Sequence, residues 1–349
     1  MTRDELMDNI RHGVAVTDLD CRGWDLRGLD LSGAVLERVD FTDAQLAGCS
    51  LEDGMLSNCA FVRSDLSHAR LKDARFFRSR LEAARFDHAL VQDASFMESA
   101  LDEAVFADAR LERVAFFKCR MLQMNLQTQL CDRVTVGESQ VDRMDCSGAS
   151  LTFATFFRID LRQVALSSAR CESTTFMECE LTDQRFAGQE FVLCQFTDSR
   201  MDGVDFSGAV LTQSNFKGAL LRKANFSGAD ACNTLFPEAH MSGANCSGGR
   251  FDQSIWIDAR VEGVDFGAAR LPLSVFHRAR CTDANFREAE LQDADFSYAE
   301  LLNADMRGAH FLRTRFHRAL QQGTRFSGRG GIIENDPDLF KAQAWSDAH

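Results

Sequence analysis

Residues 69–86 read Ala-Arg-Leu-Lys-Asp-Ala-Arg-Phe-Phe-Arg-Ser-Arg-Leu-Glu-Ala-Ala-Arg-Phe, with a large apolar residue at every fifth position. The same register continues without a break from Leu26 to Phe316, and most of its positions hold Phe or Leu. Two residues before each large residue stands a small one, as at Ala74 and Ser79. Each five-residue unit therefore has two inward and three outward side chains.

This period excludes the ordinary regular structures as the source of the pattern. Neither a helix of period 3.6 nor a strand of period 2 keeps every fifth residue on one continuous inner face. A short fixed repeat is typical of a solenoid, in which each coil covers the core of its neighbour. The sequence predicts such a solenoid, with a corner in every unit.

Two stretches, Ala294-Asp295-Phe296-Ser297-Tyr298 and Ala224-Asn225-Phe226-Ser227-Gly228, resemble the A(D/N)Lxx motif of pentapeptide repeat proteins. The resemblance extends over nearly all of the chain. It implies an all-β solenoid, the right-handed quadrilateral β-helix, with four units in each coil and residues 20 apart stacked directly. About 15 coils are expected, with short helical caps at both ends.

The chain is predicted to have three parts: an N-terminal helical cap at 1–15, the β-helix at 16–328, and a C-terminal tail with a short helix at 329–349. Small inward positions that hold large residues predict irregular coils near 121–145 and 184–195. The residues concerned are Met124, Gln129 and Met144 in the first region, and Gln184 and Gln189 in the second.

Composition narrows the class of protein. The net charge of −13 argues against direct nucleic-acid binding. No apolar run has membrane-spanning length and no signal peptide opens the chain, so a cytoplasmic protein without membrane contact is expected. Eleven of the 12 cysteines occupy inward positions, where they act as small apolar residues in a reducing compartment.

Catalytic and cofactor chemistry are not predicted. No Ser-His-Asp, Cys-His or paired-carboxylate arrangement stands out, and the glycine-rich pieces lack the context of a phosphate loop. His68 and His88 are 20 residues apart, but no third type of metal ligand recurs beside them. We therefore expect no enzyme activity, no cofactor and no metal.

One outward strip differs from the polar remainder. At a spacing of 20 residues it holds what we call the ridge: Phe77, Met97, Phe117, Gly137, Phe157 and Met177. Beside it runs the charge ladder: Arg78, Glu98, Lys118, Glu138, Arg158 and Glu178. An exposed apolar strip is typical of a partner site; the alternative is that it only shields the corner of the solenoid. We interpret the ridge and the charge ladder as a candidate protein-binding surface.

These features predict a non-catalytic protein-binding scaffold or adaptor. Residues 23–33, Gly-Trp-Asp-Leu-Arg-Gly-Leu-Asp-Leu-Ser-Gly, look like pentapeptide proteins encoded with bacterial type VI secretion systems, which implies an accessory that engages an effector or spike protein. A second hypothesis is a DNA mimic that regulates gyrase or topoisomerase IV, as in quinolone-resistance proteins. A third is a secreted effector.

The C-terminal tail leaves two alternatives open. Asp336 is predicted to cap a helix that begins at Pro337. The apolar residues of the tail either cover the last coil or join two chains into a homodimer: Ile332, Ile333, Leu339, Phe340 and Trp345.

Overall fold

The computed structural model describes residues 1–346 and confirms the predicted fold class. The chain is a parallel β-solenoid of about 16 turns, with a short helix at each end. It forms two compact units, Met1–Glu180 and a second that begins at Leu181.

The first unit starts with helix α1 (Arg3–Arg11) and continues with short strands. These are β1 (Val16–Thr17), β2 (Val35–Glu37), β3 (Met55–Ser57), β4 (Arg75–Phe77), β5 (Leu90–Gln92), β6 (Ser95–Met97), β7 (Arg110–Glu112), β8 (Ala115–Phe117), β9 (Leu130–Asp132), β10 (Thr135–Gly137), β11 (Ser150–Thr152), β12 (Thr155–Phe157), β13 (Arg170–Glu172) and β14 (Thr175–Met177).

One side of this unit is a nine-stranded parallel sheet in the order β1-β2-β3-β4-β6-β8-β10-β12-β14. Each strand pairs with the strand one coil further on, so that Leu56 pairs with Phe76 and Phe76 with Phe96. A second side carries β5, β7, β9, β11 and β13 in the same register. The remaining sides are held by single bridges between residues 20 apart, such as Asp20 with Asp40.

The second unit keeps the 20-residue register, mostly through single bridges such as Leu235 with Ile255. Its regular elements are β15 (Phe191–Val192), β16 (Asp305–Met306), β17 (Thr314–Arg315), β18 (Arg325–Phe326), β19 (Ile332–Ile333) and helix α2 (Pro337–Ser346). Near its C-terminal end, β16 pairs with β18 and β17 with β19, both in parallel.

The corners of the coils depend on left-handed backbone. Arg63 and Leu193 have φ of 55° and 59°, a region that side chains other than glycine rarely adopt. This conformation is stabilised by a backbone hydrogen bond to the next coil, in which the Arg63 N–H donates to the Glu82 carbonyl at 2.9 Å. Gly208, at φ 62°, takes the same conformation without a Cβ clash.

The Asp or Asn of each motif also has a local role. The carboxylate of Asp295 accepts the N–H of Ser297 at 2.9 Å, and the amide oxygen of Asn225 accepts that of Ser227 at 3.2 Å. These are Asx turns, in which the side chain satisfies a backbone donor as the chain bends. A short polar residue is therefore favoured just before each inward Phe or Leu.

The large inward residues stack into columns through the core. In the first unit Phe96 lies between Phe76 and Phe116, with ring centroids 4.7 and 4.9 Å away, and meets Phe86 edge-on at 6.2 Å. In the second unit Trp256 continues a Phe column and donates its indole N–H to Ser254 at 2.7 Å. Both Phe96 and Trp256 are fully buried, and the polar group of the indole is satisfied inside the core.

Helix α1 closes the N-terminal end of the first unit. The N–H of Glu5 donates to the Thr2 hydroxyl at 3.3 Å, while the Thr2 N–H donates to the Glu5 carboxylate at 2.7 Å. This capping box orients the helix so that Leu6, Met7 and Ile10 are buried.

Within 121–145, one turn departs from the repeat. Met124 and Met144 are fully buried in the small inward positions. Gln129 instead points outward, and Thr128 takes its inward place, donating its hydroxyl to the Ala109 carbonyl. In the second region, Gln184 and Gln189 are half-buried.

Candidate protein-interaction surface

The ridge lies on the outer face of the nine-stranded sheet in the first unit. Its residues occupy the last position of strands β4, β6, β8, β10, β12 and β14, and each pairs with the next across the sheet. The structure therefore brings all six predicted residues into one line. Phe77 and Met177 are each 38% exposed, and Met97, Phe117 and Phe157 are half-buried.

Gly137 is the one ridge position without a side chain, and the ring of Phe117 covers it. A Cβ at position 137 would stand 2.8 Å from Cδ2 of the Phe117 ring. The ring therefore leans over the glycine backbone, which is buried. The apolar line stays continuous although one of its positions has no side chain.

The charge ladder lies one residue further along, at the corner of each coil. Arg78 pairs with Glu98 at 2.8 Å, Lys118 with Glu138 at 3.9 Å, and Arg158 with both Glu138 at 3.5 Å and Glu178 at 2.9 Å. The hydrogen bond from Arg158 to Glu178 raises the pKa of the guanidinium further above its ordinary value. The predicted alternation of sign thus forms ion pairs between successive coils.

Each aromatic ring of the ridge also contacts the cation that follows it. The Arg78 guanidinium lies 4.8 Å from the Phe77 centroid, the Lys118 ammonium 5.4 Å from Phe117, and the Arg158 guanidinium 4.6 Å from Phe157. Sequence reasoning missed this coupling, although its signal is visible. Each ridge residue is followed directly by its ladder residue, and aromatic-cation pairs alternate with pairs that end in Glu: Phe-Arg, Met-Glu, Phe-Lys, Gly-Glu, Phe-Arg and Met-Glu. The cations are held over the rings, and the glutamates separate them.

Two further apolar side chains lie on the same sheet face. Val35 and Met55, at the first position of β2 and β3, are 39% and 48% exposed and pair in register. Sequence reasoning missed them as well, because they precede the inward column rather than follow it. They extend the apolar surface of the sheet toward the N-terminal end.

A groove of about 540 Å³ adjoins the ladder at Glu138 and Arg158. Leu122 and Val141 supply apolar wall, and Gln140 supplies a polar edge. The groove is open to solvent at the corner of the sheet. It offers a place for a long side chain that approaches beside the ridge.

Other candidate groups have simpler surroundings. The His68 and His88 rings stack with centroids 5.0 Å apart. Among residues 1–346, no group of three or more His, Cys, Asp or Glu side chains is arranged to hold a metal ion. Over the same residues, no helix is long and apolar enough to cross a bilayer.

No curated protein matches the chain by sequence. Among solved structures, full-length QnrB1, a plasmid-mediated fluoroquinolone resistance protein, is 15% identical over 67% of this chain and 98% of its own, with a TM-score of 0.25. HetL, a pentapeptide repeat protein involved in heterocyst differentiation regulation from the cyanobacterium Nostoc sp. strain PCC 7120, is 17% identical over 73% and 92%, with a TM-score of 0.18.

Two family models match the sequence directly. The model of pentapeptide repeats matches residues 17–53, 44–82, 145–183, 274–311 and 289–328, and that of the pentapeptide repeat region matches 169–246. Together these matches span more than half of the chain, and the fold agrees with them in register and core. The chain belongs to the pentapeptide repeat family.

Proposed function

We propose that this chain is a non-catalytic scaffold that binds another protein through the ridge and the charge ladder. The observation that carries the proposal is their alignment in register on one face of the sheet, where apolar side chains remain exposed beside charges held in ion pairs. Exposed aromatic and Met side chains rimmed by charge have the composition of interfaces between proteins. The free thiols, eleven of them buried, suit a reducing cytoplasm.

The test replaces Phe117 and Phe157 together by Asp. Both rings are only half-buried, so the melting temperature should change little, while capture of partners from a cell extract should be lost. The matched control is Phe153→Asp, because Phe153 is 50% exposed in the same unit but lies off the ridge. Capture that is lost equally in the control, or retained in the double variant, would reject the ridge as the binding surface.

The narrower role in type VI secretion rests on the resemblance at residues 23–33. It predicts that an effector or spike protein is among the proteins that the wild-type chain captures and the double variant does not. Identification of the captured proteins by mass spectrometry decides it. A set without any secretion component would reject this role and leave the scaffold proposal in place.

The DNA-mimic alternative is disfavoured by the pairing of surface carboxylates. Arg63 forms a bidentate ion pair with Asp43, through two hydrogen bonds of 2.8 and 2.7 Å, and Arg278 forms one with Asp258, through two of 2.7 Å. A surface that replaces DNA must present an uncompensated negative field, whereas these carboxylates are neutralised locally. We expect no effect on gyrase supercoiling at micromolar protein; inhibition or protection there would favour the mimic.

A further inference from the structure

The second unit carries a helix on three positions that correspond to the ridge and the charge ladder. In the 20-residue repeat, His317 stands at the ridge position, and Tyr298 and Arg318 stand at the ladder position. Helix α2 packs on these three residues. The Phe340 ring meets His317 edge-on at 4.6 Å, and the Arg318 guanidinium lies 5.1 Å from the Phe340 centroid.

Polar contacts complete this packing. Gln343 donates to the Tyr298 hydroxyl, and its oxygen is 3.3 Å from Nε2 of His317. His317 is only 1% exposed, and its Nδ1 accepts the N–H of Asp336, the residue that caps α2. A helix of the same chain therefore packs on this side of the repeat, with the Phe340 ring beneath the Arg318 guanidinium.

We propose that the ridge in the first unit binds one amphipathic α-helix of a partner protein, laid along the ridge and across the strands. This inference rests on the proposed function and specifies its partner. In the second unit α2 covers Tyr298, His317 and Arg318 at the corresponding positions of the last coils, whereas in the first unit Phe77 and Met177 remain exposed.

A helix fits this face better than an added strand. A strand needs free backbone donors and acceptors, but those at the ridge are used between coils. The carbonyls of Met97, Phe117 and Phe157 accept the N–H groups of Arg78, Glu98 and Glu138 at 2.9 to 3.0 Å. A helix satisfies its own backbone and needs only an apolar stripe to bind.

The dimensions of the ridge also suit a helix. Its six positions span five strand spacings of about 4.8 Å, or about 24 Å. A helix of about 16 residues has the same length, and its turns repeat every 5.4 Å. One apolar residue per turn therefore falls close to one ridge residue per coil, with a small drift that the flexible Met97 and Met177 side chains accommodate.

The charge ladder specifies the flank of that helix. Because the ladder alternates in sign from Arg78 to Glu178, complementarity requires a flank that alternates from turn to turn, beginning with an acid opposite Arg78. A helix with a uniformly basic or acidic flank meets a like charge at every second coil, which costs affinity. The groove beside Glu138 and Arg158 has room for one long flank side chain.

The experiment uses the full chain and two displayed peptide libraries of about 16 variable residues. One library is built on a helical hairpin and the other on an extended β-loop. We expect binders from the helical library whose affinity falls at least tenfold with Phe117→Asp plus Phe157→Asp and is unchanged with Phe153→Asp. Binders only from the extended library, with the same sensitivity, would overturn the helix but keep the docking surface. Helical binders insensitive to the double variant would overturn both proposals, and no helical binder would overturn this one.

A charge reversal tests the register. The variant exchanges the signs of the whole ladder: Arg78→Glu, Glu98→Arg, Lys118→Glu, Glu138→Arg, Arg158→Glu and Glu178→Arg. A selected helix should lose at least tenfold in affinity for this variant and regain it when its own flank charges are reversed. Equal affinity for both chains would overturn the charge argument.

A synthetic peptide of residues 335–346 tests whether the ridge binds a second copy of this chain. If it binds the ridge as tightly as the selected helices, the face is assigned to a second copy and the proposal of a different partner protein is overturned.

Discussion

At the residue scale, the inward rings stabilise the fold by contacts between coils. Phe96 is fully buried and contacts rings on both adjacent coils. Such a residue joins three coils at once, so its removal affects more than its own five-residue unit. Exposed rings such as Phe153 have no comparable role in the core.

We predict that Phe96→Ala lowers the free energy of unfolding by about 3–5 kcal/mol, because it removes a buried ring and leaves a cavity in a packed column. Phe153→Ala, at a ring that is 50% exposed, should change it by no more than about 0.5 kcal/mol. Urea unfolding followed by circular dichroism measures both. Equal losses would show that the column does not carry the stability assigned to it.

The surface carboxylates make the free energy of unfolding depend on pH in the acidic range. Hydrogen bonds from Arg22 and Arg27 lower the pKa of Asp20 and Asp25 from 3.8 to about 2. Since these pKa values are lower in the folded chain, the carboxylates stabilise it above the unfolded pKa, and this contribution is lost as the pH falls toward about 2. We predict a falling urea midpoint over this range, and a flatter pH profile for Asp20→Asn with Asp25→Asn. Parallel profiles would contradict the assignment.

At the scale of elements, the turn at residues 126–130 shows how the coil accommodates a misfit. Thr128 replaces Gln129 as the inward residue, and its hydroxyl both donates to the Ala109 carbonyl and accepts the Leu130 N–H at 3.4 Å. We predict that Thr128→Val lowers the free energy of unfolding by about 1–2 kcal/mol, because buried backbone groups lose their partner. Gln129→Ala, at an exposed residue, is the matched control in a urea titration. A larger loss in that control would mean that Gln129 still fills the core.

The sheet face offers a second prediction at this scale. A Cβ added by Gly137→Ala meets the ring of Phe117, which is half-buried on the outer face of the sheet and must shift to make room. The melting temperature should therefore stay nearly constant while the affinity of ridge-binding helices falls by about fivefold, or about 1 kcal/mol. Thr135→Ala, two residues earlier on the same strand, is the control. Unchanged affinity in Gly137→Ala would show that partners do not contact the Phe117 ring.

At the scale of the whole molecule, the C-terminal end of the second unit remains open. Leu312 and Leu320 are 49% and 56% exposed, and Phe311 and Phe326 are half-buried. Helix α2 has no buried side chain, and Leu339, Phe340 and Trp345 are 39%, 37% and 67% exposed. The apolar residues of the tail therefore do not form a buried cover within the chain, which favours the alternative that they join two chains.

We predict that the protein is a dimer through this end. Light scattering after size exclusion should give twice the 39.0 kDa chain mass, and Leu320→Asp with Leu312→Asp should give the monomer. Leu273→Asp is the control, because Leu273 is 55% exposed in the same unit but distant in sequence from the end. A monomeric wild-type chain would reject the dimer.

Much of the fold follows from the sequence because the repeat is local and regular. Apart from the half-buried Phe311, every large inward residue between Leu26 and Phe316 is buried where the spacing places it, and the columns of Phe96 and Trp256 follow from counting by 20. The irregular coil at Gln129 could be predicted from the repeat, but the way in which the chain accommodates it could not. The replacement by Thr128 depends on a carbonyl, that of Ala109, which only the preceding coil provides.

The sequence by itself determined the solenoid, its 20-residue register, and the alignment of the ridge and the charge ladder, because a fixed period places equivalent residues in line. Only the tertiary structure decided how those residues interact: that the Phe117 ring covers Gly137, that cations lie over the aromatic rings, and that α2 lies on the side of the second unit instead of sealing its core. The physical reason is that spacing sets the position of a backbone. The direction of each side chain depends on the free volume and charge that neighbouring coils leave around it.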